Sequence, residues 1–130
     1  MTENEIARVV VDAAAYCIHQ HFGPGLLETV YEVSLAHELK KRGLLVERQK
    51  AIAVRYDSVT FDEGFRADLV IDDKVVLELK AVEALHRVHK KQLLTYLRLM
   101  NKRLGLLINF NEELIKDGIS RVVNGLPDDQ

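Results

Sequence analysis

Long hydrophobic runs are missing from this chain. No stretch nears the roughly 20 apolar residues that a membrane-crossing helix requires. The opening Met1-Thr2-Glu3-Asn4-Glu5 is acidic where a secretory leader is basic. Cysteine is nearly absent: Cys17 stands alone, which excludes an internal disulfide and suits a reducing interior. The cytoplasm is therefore the expected address, with no membrane partner. With 7 Gly and 2 Pro among 130 residues, collagen-like and linker-rich classes are excluded. No sign of charge dominates either. Eighteen Lys+Arg against 20 Asp+Glu leave a formal net charge of -2, so no global field draws nucleic acid, while acidic residues remain for a metal-assisted site. What is present, 48% hydrophobic and 29% charged residues, belongs to a folded chain whose length suits one domain, residues 1–130.

Periodicity lays out a mixed α/β order. Thr2 and Glu5 have capping-box spacing. Ile6, Val9, Val10, Ala13, Ala14 and Cys17 recur at helical intervals, predicting a first helix to about His21 with Cys17 in its apolar stripe. Gly23-Pro24-Gly25 breaks that helix and reads as a helix-to-helix turn. A second helix is predicted from Leu27 to Arg42, with Gly43 as its C-cap. A strand from Leu45 to Tyr56, a turn at Asp57-Ser58 and a hairpin from Phe65 to Ala81 follow. Beyond them come a helix from Ala84 to Met100, a strand Gly105–Phe110 apolar enough to be buried on both faces, and an edge strand Ile119–Val123. Pro127-Asp128-Asp129-Gln130 is a polar tail. The sum is one sheet with helices, a mixed α/β (α+β) domain.

The hairpin's register can be tested against its own pattern. A turn of Asp72, Asp73 and Lys74 pairs Val70 with Val76, Asp68 with Glu78 and Arg66 with Lys80. The other face then pairs Ile71 with Val75, Leu69 with Leu77 and Ala67 with Leu79, wholly apolar. A register shifted by one residue mixes the faces and is disfavoured. Asp68 and Glu78 thereby stand opposite each other, which destabilises a sheet unless a cation, a nearby base or a proton compensates. Two close oxygen ligands with an open face suit Mg²⁺ or Mn²⁺. Lys80, two residues beyond Glu78 on the same face, can hold a water or a phosphate oxygen, giving a metal-assisted hydrolysis site. The plainer alternative is a solvated hairpin whose carboxylates pair with Arg66 and Lys80. Val75-Val76-Leu77 and Leu79 weigh against it, because they imply a central strand.

These residues resemble a known family. Asp68 and Glu78-Leu79-Lys80 are similar to the signature of the PD-(D/E)XK nuclease superfamily, with Ala67 where the literal motif has proline. Gly25-Leu26-Leu27-Glu28-Thr29-Val30-Tyr31 resembles the pattern that names the small bacterial GxxExxY proteins. Phe65-Arg66-Ala67-Asp68, His89 to Leu97 and Gly105 to Phe110 resemble further stretches of that family, so the likeness spans about Gly23 to Val123. It implies a restriction-endonuclease-like αβββαβ core behind an extra N-terminal helix, and divalent-metal cleavage of nucleic-acid phosphodiesters. DNA is the expected partner in preference to RNA. The resemblance assigns Asp68, Glu78 and the Leu79 carbonyl as ligands of Mg²⁺ or Mn²⁺, with Glu28 as the first acidic position, binding the metal directly or through water. Lys80 would position the attacking water, and Gln92 and Tyr96 match polar positions near the substrate phosphate.

Read without the family, Glu28 is better explained as a favourable charge in the first turn of a helix, and Tyr96 as a core tyrosine with Gln92 as its polar neighbour. Glu28, Tyr31, Glu32 and Leu35 share a helical stripe. His86, Arg87, His89, Lys90 and Lys91 give the third helix a basic start that fits a phosphate-facing surface better than a metal site. His19 and His21 would not share a face. A glycosidase-type carboxylate pair leaves Lys80 unexplained. Beside the nuclease stand two rivals: a non-catalytic binding or accessory module for defence or repair, and a structural homodimer. A homodimer is also the expected assembly of a nuclease this small.

Overall fold

The computed structural model describes residues 1–127; positions 128–130 of the polar tail lie outside the described residues. Helix α1 (Glu3–Asp12) starts on the expected capping box, Thr2 Oγ1 accepting from the Glu5 amide at 3.2 Å and Glu5 Oε1 from the Thr2 amide at 3.3 Å. It runs on as a π-helical stretch, Ala13–His19, and a last α turn, Gln20–Phe22. That wider winding shifts the buried stripe by one residue. Ile18 takes the core position expected of Cys17, which is half-buried with its sulfur 3.5 Å from Glu38 Oε1.

Helix α2 (Glu28–Lys41) leads into strands β1 (Val46–Tyr56), β2 (Val59–Ile71) and β3 (Val75–Lys80). Helix α3 (Arg87–Met100), β4 (Leu104–Asn109), a 3₁₀ turn (Ile115–Gly118) and β5 (Ile119–Val123) complete the chain. The sheet order is β1-β2-β3-β4-β5, antiparallel except for the β3–β4 pair. Among the described residues the only parallel neighbours are thus the two strands that α3 connects, as a crossover requires. The order α2, β1, β2, β3, α3, β4 is the αβββαβ core the resemblance implies, with α1 as the extra helix.

Two apolar layers sandwich the sheet. On one side Ile6, Val10, Tyr31, Leu35 and Leu39 of the first two helices pack on Leu69, Leu77, Leu79 and Ile108. On the other, Leu93 and Leu97 of α3 pack on Val70, Val76 and Leu107. Strands β3 and β4, covered on both faces, are accordingly buried almost throughout. No helix among the described residues is long and apolar enough to cross a membrane.

Candidate active site

The hairpin register is the expected one near its turn: Ile71 pairs with Val75, Val70 with Val76 and Leu69 with Leu77. There the ladder stops. Asp68, Ala67 and Arg66 do not pair with Glu78, Leu79 and Lys80 as the sequence pattern predicts. Ala67 moves to the α3 side while Leu79 stays with the α1 and α2 side. On the neighbouring strand Gln49, opposite Asp68 between the Arg48–Leu69 and Lys50–Ala67 pairs, has a left-handed φ of 50°. A non-glycine residue in that region kinks a strand as a bulge does.

Where β2 and β3 part, the two carboxylates fill the gap. Asp68 Oδ2 accepts from the Leu79 amide at 2.8 Å, and Glu78 Oε1 accepts from the Asp68 amide at 3.2 Å. Each side chain replaces a ladder bond that the other strand would have supplied, so the amides at the fork stay satisfied. Glu78 is only 8% exposed. Burial, with the Asp68 charge second, pushes its pKa up to about 8. Burial likewise raises Asp68, aided by the charge of Glu32 and opposed by the Leu79 amide. Lys80, half-buried at the end of β3, lowers both, and it makes no salt bridge among the described residues. The expected tension between the carboxylates is therefore present: burial and the neighbouring charge both favour the protonated form of Glu78 when no cation is near.

Glu28 opens α2 through a loop built for it. Gly23 and Gly25 both have positive φ, 68° and 102°. The buried Tyr31 hydroxyl donates to the Gly23 carbonyl at 2.7 Å and accepts from the Leu26 amide at 3.0 Å. Its ring stacks on Phe110 with centroids 4.5 Å apart. The Gly25, Glu28 and Tyr31 spacing thus has a mechanical meaning: glycine allows the turn, tyrosine clamps it, and the glutamate is delivered to the end of β3. There Glu28 Oε1 accepts from the Ala81 amide at 3.3 Å, one residue beyond Lys80. Asn109, fully buried at the end of β4, holds the same exit with paired bonds to the Val82 amide and carbonyl, 3.1 and 2.9 Å.

From the opposite side α3 brings Tyr96. Its ring stacks on Phe65, centroids 4.0 Å apart, and its hydroxyl feels Glu78 and Asp68, which with burial as the larger cause raise its pKa. Gln92, one turn earlier, is exposed and is drawn into no hydrogen bond with the carboxylates. His89 Nδ1 accepts from the His86 amide at 3.1 Å, capping α3. Its pKa is lowered by burial first, then by Lys80 and His86, against Glu28.

Asp68, Glu78, Lys80 and Tyr96 are therefore brought together, Glu28 lies at the edge beside Ala81, and Gln92 stands apart. No three His, Cys, Asp or Glu side chains among the described residues form a ready cage. The donor set fits Mg²⁺ or Mn²⁺ nonetheless, since such ions accept one or two carboxylates and complete their shell with water and substrate phosphate. Two residues here were not picked out as site residues from the sequence. Glu32, 5% exposed, and Gln49 form a chain of contacts to Asp68. For Glu32 the signal was its place on the Glu28 stripe; for Gln49 there was none.

A family model of the PD-(D/E)XK nuclease superfamily matches residues 4–122, and the mixed sheet with its flanking helices agrees with the restriction-endonuclease-like fold of that superfamily. No curated protein and no solved structure shows a significant match.

Proposed function

We propose that this chain, which belongs to the PD-(D/E)XK nuclease superfamily, hydrolyses nucleic-acid phosphodiester bonds as a single-domain, divalent-metal-dependent enzyme of GxxExxY type. The observation that carries the reading is the pair of carboxylates at the β2–β3 fork, held close in a poorly solvated place beside a lysine. Asp68 and Glu78, with the Leu79 carbonyl, would hold Mg²⁺ or Mn²⁺, and Glu28 would act from the edge of the site, directly or through water. When bound, the ion supplies positive charge to the scissile phosphate and acidifies water near it.

The chain's own residues do the rest. The Lys80 ammonium orients the attacking water and offsets charge that develops on the phosphoryl oxygens. The Tyr96 hydroxyl, kept protonated by burial and by the carboxylates, donates to a phosphate oxygen, with Gln92 one turn away on the approach. Duplex DNA is the proposed substrate in preference to RNA, in a cytoplasmic, bacterial setting, and the working unit is a homodimer.

The test is cleavage of end-labelled duplex DNA, single-stranded DNA and RNA with Mg²⁺ or Mn²⁺. Wild type is expected to cut, and Asp68→Ala, Glu78→Ala and Lys80→Ala to be inert or nearly so. Cleavage that survives Asp68→Ala or Glu78→Ala unchanged would remove the assignment.

A further inference from the structure

Gln49 is exposed, sits in a strand, and yet adopts a φ of 50°. Such a conformation is unfavourable for a residue with a Cβ, and strain of this kind persists only where surrounding contacts hold it. Core packing cannot be the reason for an exposed side chain. The contacts that do hold it are specific. Arg66 Nη1 donates to the Gln49 carbonyl at 3.2 Å. The Gln49 side-chain amide donates through one nitrogen to Glu32 Oε1 at 2.6 Å and to Asp68 Oδ1 at 3.3 Å. Glu32 is fixed in turn by Arg48, whose Nε and Nη2 reach its Oε2 at 3.2 and 2.8 Å. Arg48 and Gln49 are adjacent in sequence and would point to opposite faces of a regular strand. The left-handed step at Gln49 is what lets both reach one carboxylate.

We infer that Gln49 is a positioning residue: its strained backbone aims an amide between Glu32 and Asp68, and so orients the Asp68 carboxylate toward a divalent cation. The amide has a second effect. It separates Glu32 from Asp68, so that Glu32 contributes negative potential to the site without competing as a ligand. This rests on the nuclease reading given above, because it presumes that Asp68 binds a metal. Groups that orient a metal ligand matter to affinity nearly as much as the ligand itself, and losing one weakens binding about 10-fold or more.

The experiment is calorimetric titration of Mn²⁺ into the full chain, wild type and Gln49→Gly, with the thermal midpoint of each metal-free protein measured beside it. Glycine removes the amide and at the same time relieves the strain. The expected result is a split: Mn²⁺ affinity falls about 10-fold or more, while the midpoint stays level or rises. Gln49→Asn, whose amide is one methylene too short but whose backbone tolerates positive φ, is expected to show the same split. Wild-type binding matched by Gln49→Gly would overturn the positioning role alone. A midpoint that falls in step with the affinity would also overturn it, making Gln49 a structural residue. A wild type that binds no Mn²⁺ would overturn the nuclease reading and this inference with it.

Discussion

At the residue scale the site is governed by one proton and one ammonium. Glu78 has an ordinary value of 4.5 and is pushed up to about 8 by burial and by Asp68. A carboxyl raised by folding stabilises the fold while it is protonated. Its contribution is complete below the ordinary value and is lost as the pH climbs through the raised one. The metal-free protein is therefore expected to melt at lower temperature near pH ~9 than near pH ~6, by an effect on the order of a few kcal/mol. Asp68, Lys80 and Tyr96 face the same carboxyl, so the Glu78→Gln variant isolates its share: thermal scans across that range should show a flatter profile than wild type. Mn²⁺ should restore the midpoint most at the alkaline end, where the carboxylate is free to bind it. A wild type and Glu78→Gln with parallel pH profiles would contradict this. The role proposed for Lys80 lies on the catalytic side of the same balance. Lys80→Ala is expected to retain Mn²⁺ binding while turnover falls about a hundredfold or more, measured by single-turnover cleavage against calorimetry on the same preparation.

At the scale of elements, the helix that carries Glu28 depends on its entry loop. Tyr31→Phe leaves the stack on Phe110 but abandons the Gly23 carbonyl and the Leu26 amide. A loss of about 1–2 kcal/mol is expected, read from denaturant midpoints, together with weaker cleavage as Glu28 loosens. The hairpin was legible in the sequence because alternation of apolar and charged residues admits one register around Asp72, Asp73 and Lys74, and Leu69–Leu77 and Ile71–Val75 pair accordingly. The edge strand Ile119–Val123 was also found where the sequence placed it. The fork at Asp68 was not legible. It faces a left-handed Gln49 on another strand, and a glutamine between Arg48 and Lys50 carries no pattern that announces a positive φ. The exchange of Cys17 for Ile18 in the core was equally hidden, since a π-helical turn changes the period on which the reading of α1 relied. The carboxylates and the lysine of the candidate site could be named from residue type and spacing, whereas Gln49 acts through backbone geometry that spacing does not reveal.

At the scale of the molecule, the two-sided packing of β3 and β4 explains why charge at Glu78 needs a partner at all: the strand that delivers it is buried between helical layers. The long β1–β2 ribbon runs beyond the part of the sheet that is covered. It leaves Tyr56 77% exposed, with Val59 and Phe61 also open. Apolar side chains gathered at one projecting end suit contact with a second copy. Light scattering at micromolar concentration is accordingly expected to return about twice the 14.8 kDa chain mass, and a monomer mass would contradict the dimer. The proposed activity turns on whether the carboxylates at the fork hold a divalent cation. The most direct measurement is calorimetric titration of Mg²⁺ and Mn²⁺ into wild type and into the Asp68→Ala/Glu78→Ala double variant, each with and without a short DNA duplex. Binding in the wild type that disappears in a double variant still folded by circular dichroism is the predicted result. Absence of binding in the wild type, duplex included, or binding that persists in the double variant, would contradict it.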